Sequence, residues 1–193
     1  MTNTRRHNFG WTVALALLTV ATSAQTNEPG LIYGKDFAFN LLAPNGWLLD
    51  DAAKQKIGAA AVFLPEGSVW ATAPAVIYVT TVPKRTDASF TDLIASDIER
   101  HQTASSGLKV AAEAPLPAAD GTLIQINKFS GDKWGNVESV GYIEAPTVLI
   151  LIVFSAKGEE AHAAHHAAFA DILKSYRFLT SKIQIEGASQ HGP

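Results

Sequence analysis

Alternating apolar and polar positions predict strands along most of the chain between residues 36 and 145. The clearest alternation is in "DFAFNLLAP", residues 36–44, where Phe37, Phe39 and Leu41 fall on one face, as in a half-buried strand. Short turns between the later segments make those strands antiparallel neighbours. The other segments of this character, each bounded by turn residues, are 59–67, 75–83, 108–117, 122–130 and 137–145.

The last predicted strand differs because every position from Val148 to Phe154 is apolar. A strand that is apolar on both sides is usually covered on both faces. This pattern predicts that residues 148–154 lie near the centre of the sheet, with helices above and below it.

Helical spacing replaces strand alternation in two places. Ser89 and Asp92 form a capping-box pattern at the start of the first helix, and Gly107 is a natural stop after it. The second helix is predicted from about Gly158 to Tyr176. Together these elements indicate an α+β fold, a mostly antiparallel sheet of about seven strands with helices on both faces.

The first 24 residues have the three-part layout of a secretory signal peptide. Arg5 and Arg6 precede an apolar run from Trp11 to Ala21, and small residues follow up to Ala24. An uncleaved membrane anchor is the alternative, although the apolar run is short for a bilayer span. The predicted organisation is a signal peptide at 1–24, a tether at 25–34, a single domain at 35–179 and a flexible tail at 180–193. We therefore expect an exported protein, periplasmic or extracellular, with no stable membrane span after cleavage.

Charge and cysteine content narrow the class of partner. Removing residues 1–24 lowers the Lys+Arg count from 15 to 13 against 18 Asp+Glu, so the mature chain has a formal charge of −5. This acidic balance argues against nucleic acid as a partner. The absence of cysteine excludes a disulfide framework, thiol catalysis, cysteine-ligated zinc and a lipid anchor on cysteine.

Four segments in order resemble the PsbP-like superfamily across about residues 33–179. They are "FAFNLLAPNGW", which runs into a Pro-x-Gly-Trp turn, "SFTDLIASDI" at the first helix, "GYIEA", and "ILKSYRFL" at the end of the last helix. The resemblance implies a PsbP-like sandwich and a largely non-enzymatic class of protein, but it transfers no binding residue. It also implies that Trp47, placed directly on a turn, is structural and covers the core at the sheet edge.

Three histidines in "EEAHAAHHAAF" are the candidates for metal binding. His162 and His166 are four residues apart, so both imidazoles point to one side of a helix, and His165 is adjacent. Glu159, one turn earlier, could add a ligand. The same residues extend the apolar stripe of the helix, so a half-buried packing role is the other interpretation.

Two tryptophans are the candidates for ligand or partner contact. Trp134 lies between two glycines in "SGDKWGN", a predicted hairpin tip, where an exposed indole suits an interface. Trp70 in "GSVWATAP" is a second candidate. Covering a sheet edge is the alternative for both.

No catalytic motif was found among the nucleophile, dinucleotide and phosphate-loop patterns. We therefore expect an exported, non-enzymatic accessory or protein-binding domain without a cofactor, whose partner is another envelope or extracellular protein. The alternatives are a small-molecule or metal-binding protein that uses His162, His165 and His166, and a hydrolase with an unrecognised site.

Overall fold

A computed structural model describes residues 29–85 and 87–183. Within these ranges the chain forms ten strands and three helices. The strands are β1 (Pro29–Gly34), β2 (Phe37–Leu42), β3 (Trp47–Leu49), β4 (Ala61–Pro65), β5 (Ala75–Pro83), β6 (Lys109–Pro117), β7 (Leu123–Ser130), β8 (Val137–Glu144), β9 (Val148–Ala156) and β10 (Arg177–Thr180), and the helices are α1 (Asp51–Ile57), α2 (Phe90–Ala104) and α3 (Gly158–Ser175).

Seven of the strands form one antiparallel sheet in the order β3-β4-β5-β9-β8-β7-β6. The apolar strand β9 is fourth in this order, so the prediction that it lies at the sheet centre is confirmed. It pairs with β5 on one side and with β8 on the other over nearly its full length.

Both faces of the sheet are covered, as the pattern of β9 predicts. Ile150, Ile152 and Phe154 face a core that includes the buried stripe of α3. Leu149 and Leu151 face the opposite core, which is closed by α2. The fold is therefore the predicted α+β sandwich, with helices on both faces of a mostly antiparallel sheet.

The start of α2 follows the predicted capping box. The Ser89 hydroxyl accepts a hydrogen bond from the Asp92 backbone N–H at 3.1 Å, and the Asp92 carboxylate accepts one from the Ser89 N–H at 3.0 Å. These two bonds satisfy N–H groups that have no partner within the helix. These hydrogen bonds fix the residue at which α2 begins. The start of the helix in turn sets which residues of its C-terminal half lie over the sheet.

A second sheet of three strands, in the order β1-β2-β10, lies on the α3 side. Its strand β1 corrects the predicted tether, because residues 29–34 pair with β2 and Ile32 is buried. The strand signal is weak there because Gly30 and Gly34 enclose only three residues. β10 was also not predicted, and β2 joins this small sheet instead of the large one.

The edge of the large sheet contains two further unpredicted elements, β3 and α1. Both are short, and α1 buries only Ala53 among its own residues. A helix of seven residues with one buried position has no apolar stripe that a periodicity argument can detect.

Trp47 begins β3 and is buried, with 6% of its surface exposed. Gly46 adopts a positive φ of 74°, and the Trp47 N–H donates to the Pro44 carbonyl at 3.0 Å, which closes the turn. The indole packs into the core on the α3 side and meets the His165 ring edge-on at 5.6 Å. The turn thus directs the indole into the core, as the resemblance implied.

The predicted signal peptide at 1–24 and most of the predicted tail at 180–193 lie outside the described residues. In the described part of the chain, no helix combines the length and apolarity needed to cross a membrane.

Candidate functional site

An open cleft of about 270 Å³ lies on the α2 face of the large sheet. Its walls come from the C-terminal half of α2, from the loop that joins β7 to β8, and from Tyr78 on β5. Trp134, at the tip of that loop, lies on the rim, and 64% of its surface is exposed. The predicted contact residue therefore borders a concave surface.

Hydrogen bonds hold the loop that carries Trp134. Oδ1 of Asp132 accepts the backbone N–H of Trp134 at 3.0 Å and that of Asn136 at 2.8 Å. The Lys133 N–H donates to the hydroxyl of Ser105, just after α2, at 2.9 Å. The indole is thus presented on a loop tied to the helix, which lowers the entropy cost of using it in an interface.

A buried carboxylate, Asp97, lies beside the cleft. It forms an ion pair with Arg100 and accepts a hydrogen bond from the Tyr142 hydroxyl at 2.8 Å. Burial raises the pKa of Tyr142, and the nearby charge of Asp97 raises it further, so the phenol stays protonated and donates. This pairing fixes α2 against β8 beneath the cleft.

His101 and Glu138 form the floor of the cleft. The His101 ring stacks on Phe129 with centroids 4.6 Å apart. Its Nδ1 lies 4.0 Å from Oε2 of Glu138, and its Nε2 lies 3.8 Å from Oδ1 of Asp97. The histidine therefore lies between two carboxylates, at distances longer than hydrogen bonds.

Tyr78 completes the wall and connects the cleft to Trp70. The Trp70 and Tyr78 rings meet edge-on with centroids 6.3 Å apart. Trp70 is half-buried against the cluster around Ala53, so it supports Tyr78 and does not itself line the cleft. Burial raises the pKa of Tyr78, and the negative charge of Glu138 raises it further.

The predicted histidine cluster lies on the opposite face of the sheet and is split in two. His165 packs against Trp47, while His162 and His166 lie together with ring centroids 5.3 Å apart. Nε2 of His162 is 3.0 Å from the Ser139 hydroxyl, and Nε2 of His166 is 3.4 Å from the Glu113 carboxylate. Glu159 forms an ion pair with Lys128 at 2.8 Å.

His162 is buried, with 5% of its surface exposed. Burial lowers the pKa of its imidazole, and the positive charges of Lys128 and His166 lower it further, against the opposing effect of Glu113 and Glu159. The neutral ring is thus the form that the fold favours.

The geometry of the histidine cluster fits neither a metal site nor an accessible catalytic pair. Across residues 29–85 and 87–183, no group of three or more His, Asp or Glu side chains is arranged to hold a metal ion. The Ser139 and His162 contact has the distance of a nucleophile and its base, but Ser139 is fully buried and no substrate can reach it. The arrangement fits a satisfied polar contact in the core.

The loop pattern predicts Trp134 as a contact residue, but no sequence pattern predicts the residues behind it in the cleft. Tyr78, Arg100, His101 and Glu138 come from β5, α2 and β8 and lack a shared motif. One sequence pattern could have pointed to this cleft: Asp97 and His101 are four residues apart on α2, so their side chains lie on the same side of the helix. Nothing in the strand pattern distinguished Tyr78 or Glu138 from other alternate positions.

No protein-family model and no curated protein matches the sequence. Solved structures do. The cyanobacterial PsbP protein (CyanoP) of Synechocystis superposes with a TM-score of 0.53 at 18% identity, covering 84% of this chain and 99% of that one. LpqN, involved in cell envelope biogenesis of Mycobacterium tuberculosis, superposes with a TM-score of 0.53 at 12% identity, covering 81% of this chain and 87% of that one. The chain has a PsbP-like fold.

Proposed function

We propose that the protein is an exported, non-enzymatic domain that binds another protein of the cell envelope or the extracellular space. The observation that carries the proposal is the exposed Trp134 indole on the rim of the cleft. Tryptophan is among the residues that contribute most binding energy at protein interfaces. A PsbP-like fold shared with a protein of cell envelope biogenesis supports the same class of function.

The local packing of Trp134 supports an interface role over a structural one. Its ring is 64% exposed and contacts the neighbouring Lys133, whose Nζ lies 4.3 Å from the ring centroid. Trp47, in contrast, is enclosed by the core. Truncating Trp134 should therefore cost little stability, since it removes few buried contacts.

The metal-binding alternative has weaker support, because His165 packs against Trp47 while His162 and His166 contact each other. The hydrolase alternative, with an unrecognised site, gains no support from the contact of Ser139 with His162, because Ser139 lies inside the core. The cleft on the α2 face is the better candidate for a functional surface.

A capture experiment with paired variants tests the proposal. Native envelope preparations are cross-linked to the wild-type protein, to Trp134→Ala and to Leu123→Ala, and the captured proteins are identified by mass spectrometry. Leu123 is the matched control, since its side chain is 60% exposed at the far end of β7. The free energy of unfolding of Trp134→Ala should lie within about 1 kcal/mol of the wild-type value. Its free energy of binding to the captured partner should be weaker than that of wild type by about 2 kcal/mol or more.

Two results would contradict the proposal. One is equal capture of the same proteins by Trp134→Ala and wild type, per folded molecule. The other is a sharp fall in the melting temperature of Trp134→Ala with capture unchanged, which would make the indole a packing residue.

A further inference from the structure

Glu138 is a carboxylate on the floor of the cleft, and His101 is its ion-pair partner within residues 29–85 and 87–183. Its side chain is 20% exposed, and its Oε2 lies 4.0 Å from Nδ1 of His101. Within residues 29–85 and 87–183, no hydrogen bond reaches this carboxylate. A cation that entered the cleft could donate a charge-assisted hydrogen bond to this carboxylate.

The other charged groups at the cleft already have partners. The guanidinium of Arg100 pairs with Asp97, and Oδ1 of Asp132 accepts two backbone N–H groups. The Lys133 ammonium lies over the Trp134 ring. Of the carboxylates that line the cleft, Glu138 is thus the one that accepts no hydrogen bond from the described residues.

Two aromatic side chains, Tyr78 and Trp134, line the cleft together with this carboxylate. Ring faces attract ammonium and guanidinium groups. The contact of Lys133 with Trp134, at 4.3 Å, shows that this ring accepts a cation within the chain itself. Aromatic walls around a carboxylate form a site for an organic cation with an apolar stem.

We propose that the cleft binds a lysine or arginine side chain of the protein partner, with Glu138 pairing the charge and the aromatic walls packing on the stem. This inference rests on the proposed function and names the chemistry of the partner. The cleft, at about 270 Å³, is slightly smaller than the roughly 300–1,000 Å³ of typical small-molecule sites, which suits one side chain better than a cofactor. An acidic chain would also attract a basic partner over a distance.

Small probes test this chemistry without a partner protein. The mature protein is titrated with the N-acetyl, N-methylamide derivatives of lysine, arginine and norleucine, and the indole N–H resonance of Trp134 is followed by NMR. Norleucine has a stem similar to that of lysine and carries no charge. Both basic probes should shift the Trp134 resonance, and the norleucine probe should bind at least about tenfold more weakly, as expected for a lost charge-assisted contact.

Two variants assign the effect to Glu138. Glu138→Gln should weaken binding of the lysine probe by about tenfold or more, whereas Glu160→Gln should bind it like wild type. Glu160 is the control because it is exposed on α3, on the opposite face of the sheet. If Glu138→Gln fails to fold, binding of the lysine and norleucine probes to the wild-type protein still shows whether the cleft recognises a positive charge.

Three results would overturn the binding of a basic group, and a fourth would overturn a protein side chain as its source. The first three are equal binding of the norleucine and lysine probes, unchanged binding to Glu138→Gln, and no shift of the Trp134 resonance at the solubility limit of the basic probes. Tighter binding of putrescine than of the lysine probe would assign the cleft to a free amine and overturn the protein side chain as its ligand. None of these results alters the capture data for Trp134→Ala, so failure here is distinguishable from failure of the proposed function.

Discussion

At the scale of single residues, the same residue type serves opposite purposes at different positions. Trp47 directly follows a glycine-containing turn and Trp134 lies within one, yet one is 6% exposed and the other 64%. The difference lies in what each turn faces. Trp47 begins a strand at the edge of the large sheet with α3 beside it, while Trp134 is at a hairpin tip that extends past α2.

Truncating Trp47 should therefore destabilise the fold without a direct effect on binding. Trp47→Ala leaves a cavity beside His165 in the core, and we expect a loss of about 3 kcal/mol in the free energy of unfolding. Chemical denaturation followed by circular dichroism measures the loss, with Trp134→Ala as the exposed control. An unfolding midpoint equal to that of wild type would show that the indole is not a core residue.

His162 makes stability depend on pH in a direction that can be worked out. Burial lowers its pKa in the folded state below the ordinary value of 6.5, so the unfolded chain binds the proton more readily. The stability that His162 contributes is therefore complete above about pH 6.5 and is lost as the pH falls toward the lower, folded-state pKa. The charged groups that face it are Lys128, Glu113, Glu159 and His166.

His162→Gln keeps a hydrogen-bonding group near Ser139 but does not titrate. The fall in melting temperature between pH 7.5 and 5.5 should be smaller in this variant than in wild type. Thermal melts of both proteins at the two pH values measure the difference. An identical fall in both would mean that the burial of His162 does not contribute to acid sensitivity.

At the scale of elements, the long ones were predictable and the short ones were not. The strands β5 and β9 have nine residues each and show either clear alternation or an unbroken apolar run. In contrast, β3 has three residues and β10 has four, which is too few to show a period of two. Their assignment depends on pairing partners distant in sequence, such as β2 for β10.

The central position of β9 leads to a sharp prediction for Ile152. Its side chain is fully buried on the α3 side and has no access to water. Ile152→Lys places an ammonium there, at a cost of several kcal/mol that approaches the whole stability of a domain, about 5–15 kcal/mol. We expect the variant not to fold.

Leu123→Lys is the matched control, because Leu123 is 60% exposed on β7 in the same sheet. It should unfold cooperatively at nearly the wild-type temperature. Cooperative unfolding of soluble Ile152→Lys, measured in the same melts, would contradict the central placement of β9.

At the scale of the whole molecule, the sheet brings together residues that no local pattern connects. Tyr78 and Glu138 are not paired in register, because β9 lies between their strands, and α2 adds His101 from above. Sequence reasoning could predict the exposed indole from its loop, since loop chemistry is local. It could not predict the carboxylate and the aromatic walls, since their proximity depends on strand order.

Export is the property of the whole chain that remains a prediction, and it has a direct test. The apolar run and the small residues before Gln25 predict cleavage after Ala24. Cleavage there would leave all described elements in place, because β1 begins at Pro29. The N-terminal sequence of protein isolated from its native envelope should therefore begin at or near Gln25. A recombinant chain that starts at Gln25 should melt at the same temperature as the isolated protein.

The variant Ala24→Leu should slow cleavage, since the site requires a small residue. An isolated protein that retains Trp11 would instead indicate an N-terminal membrane anchor, and would place the binding cleft on a tethered protein.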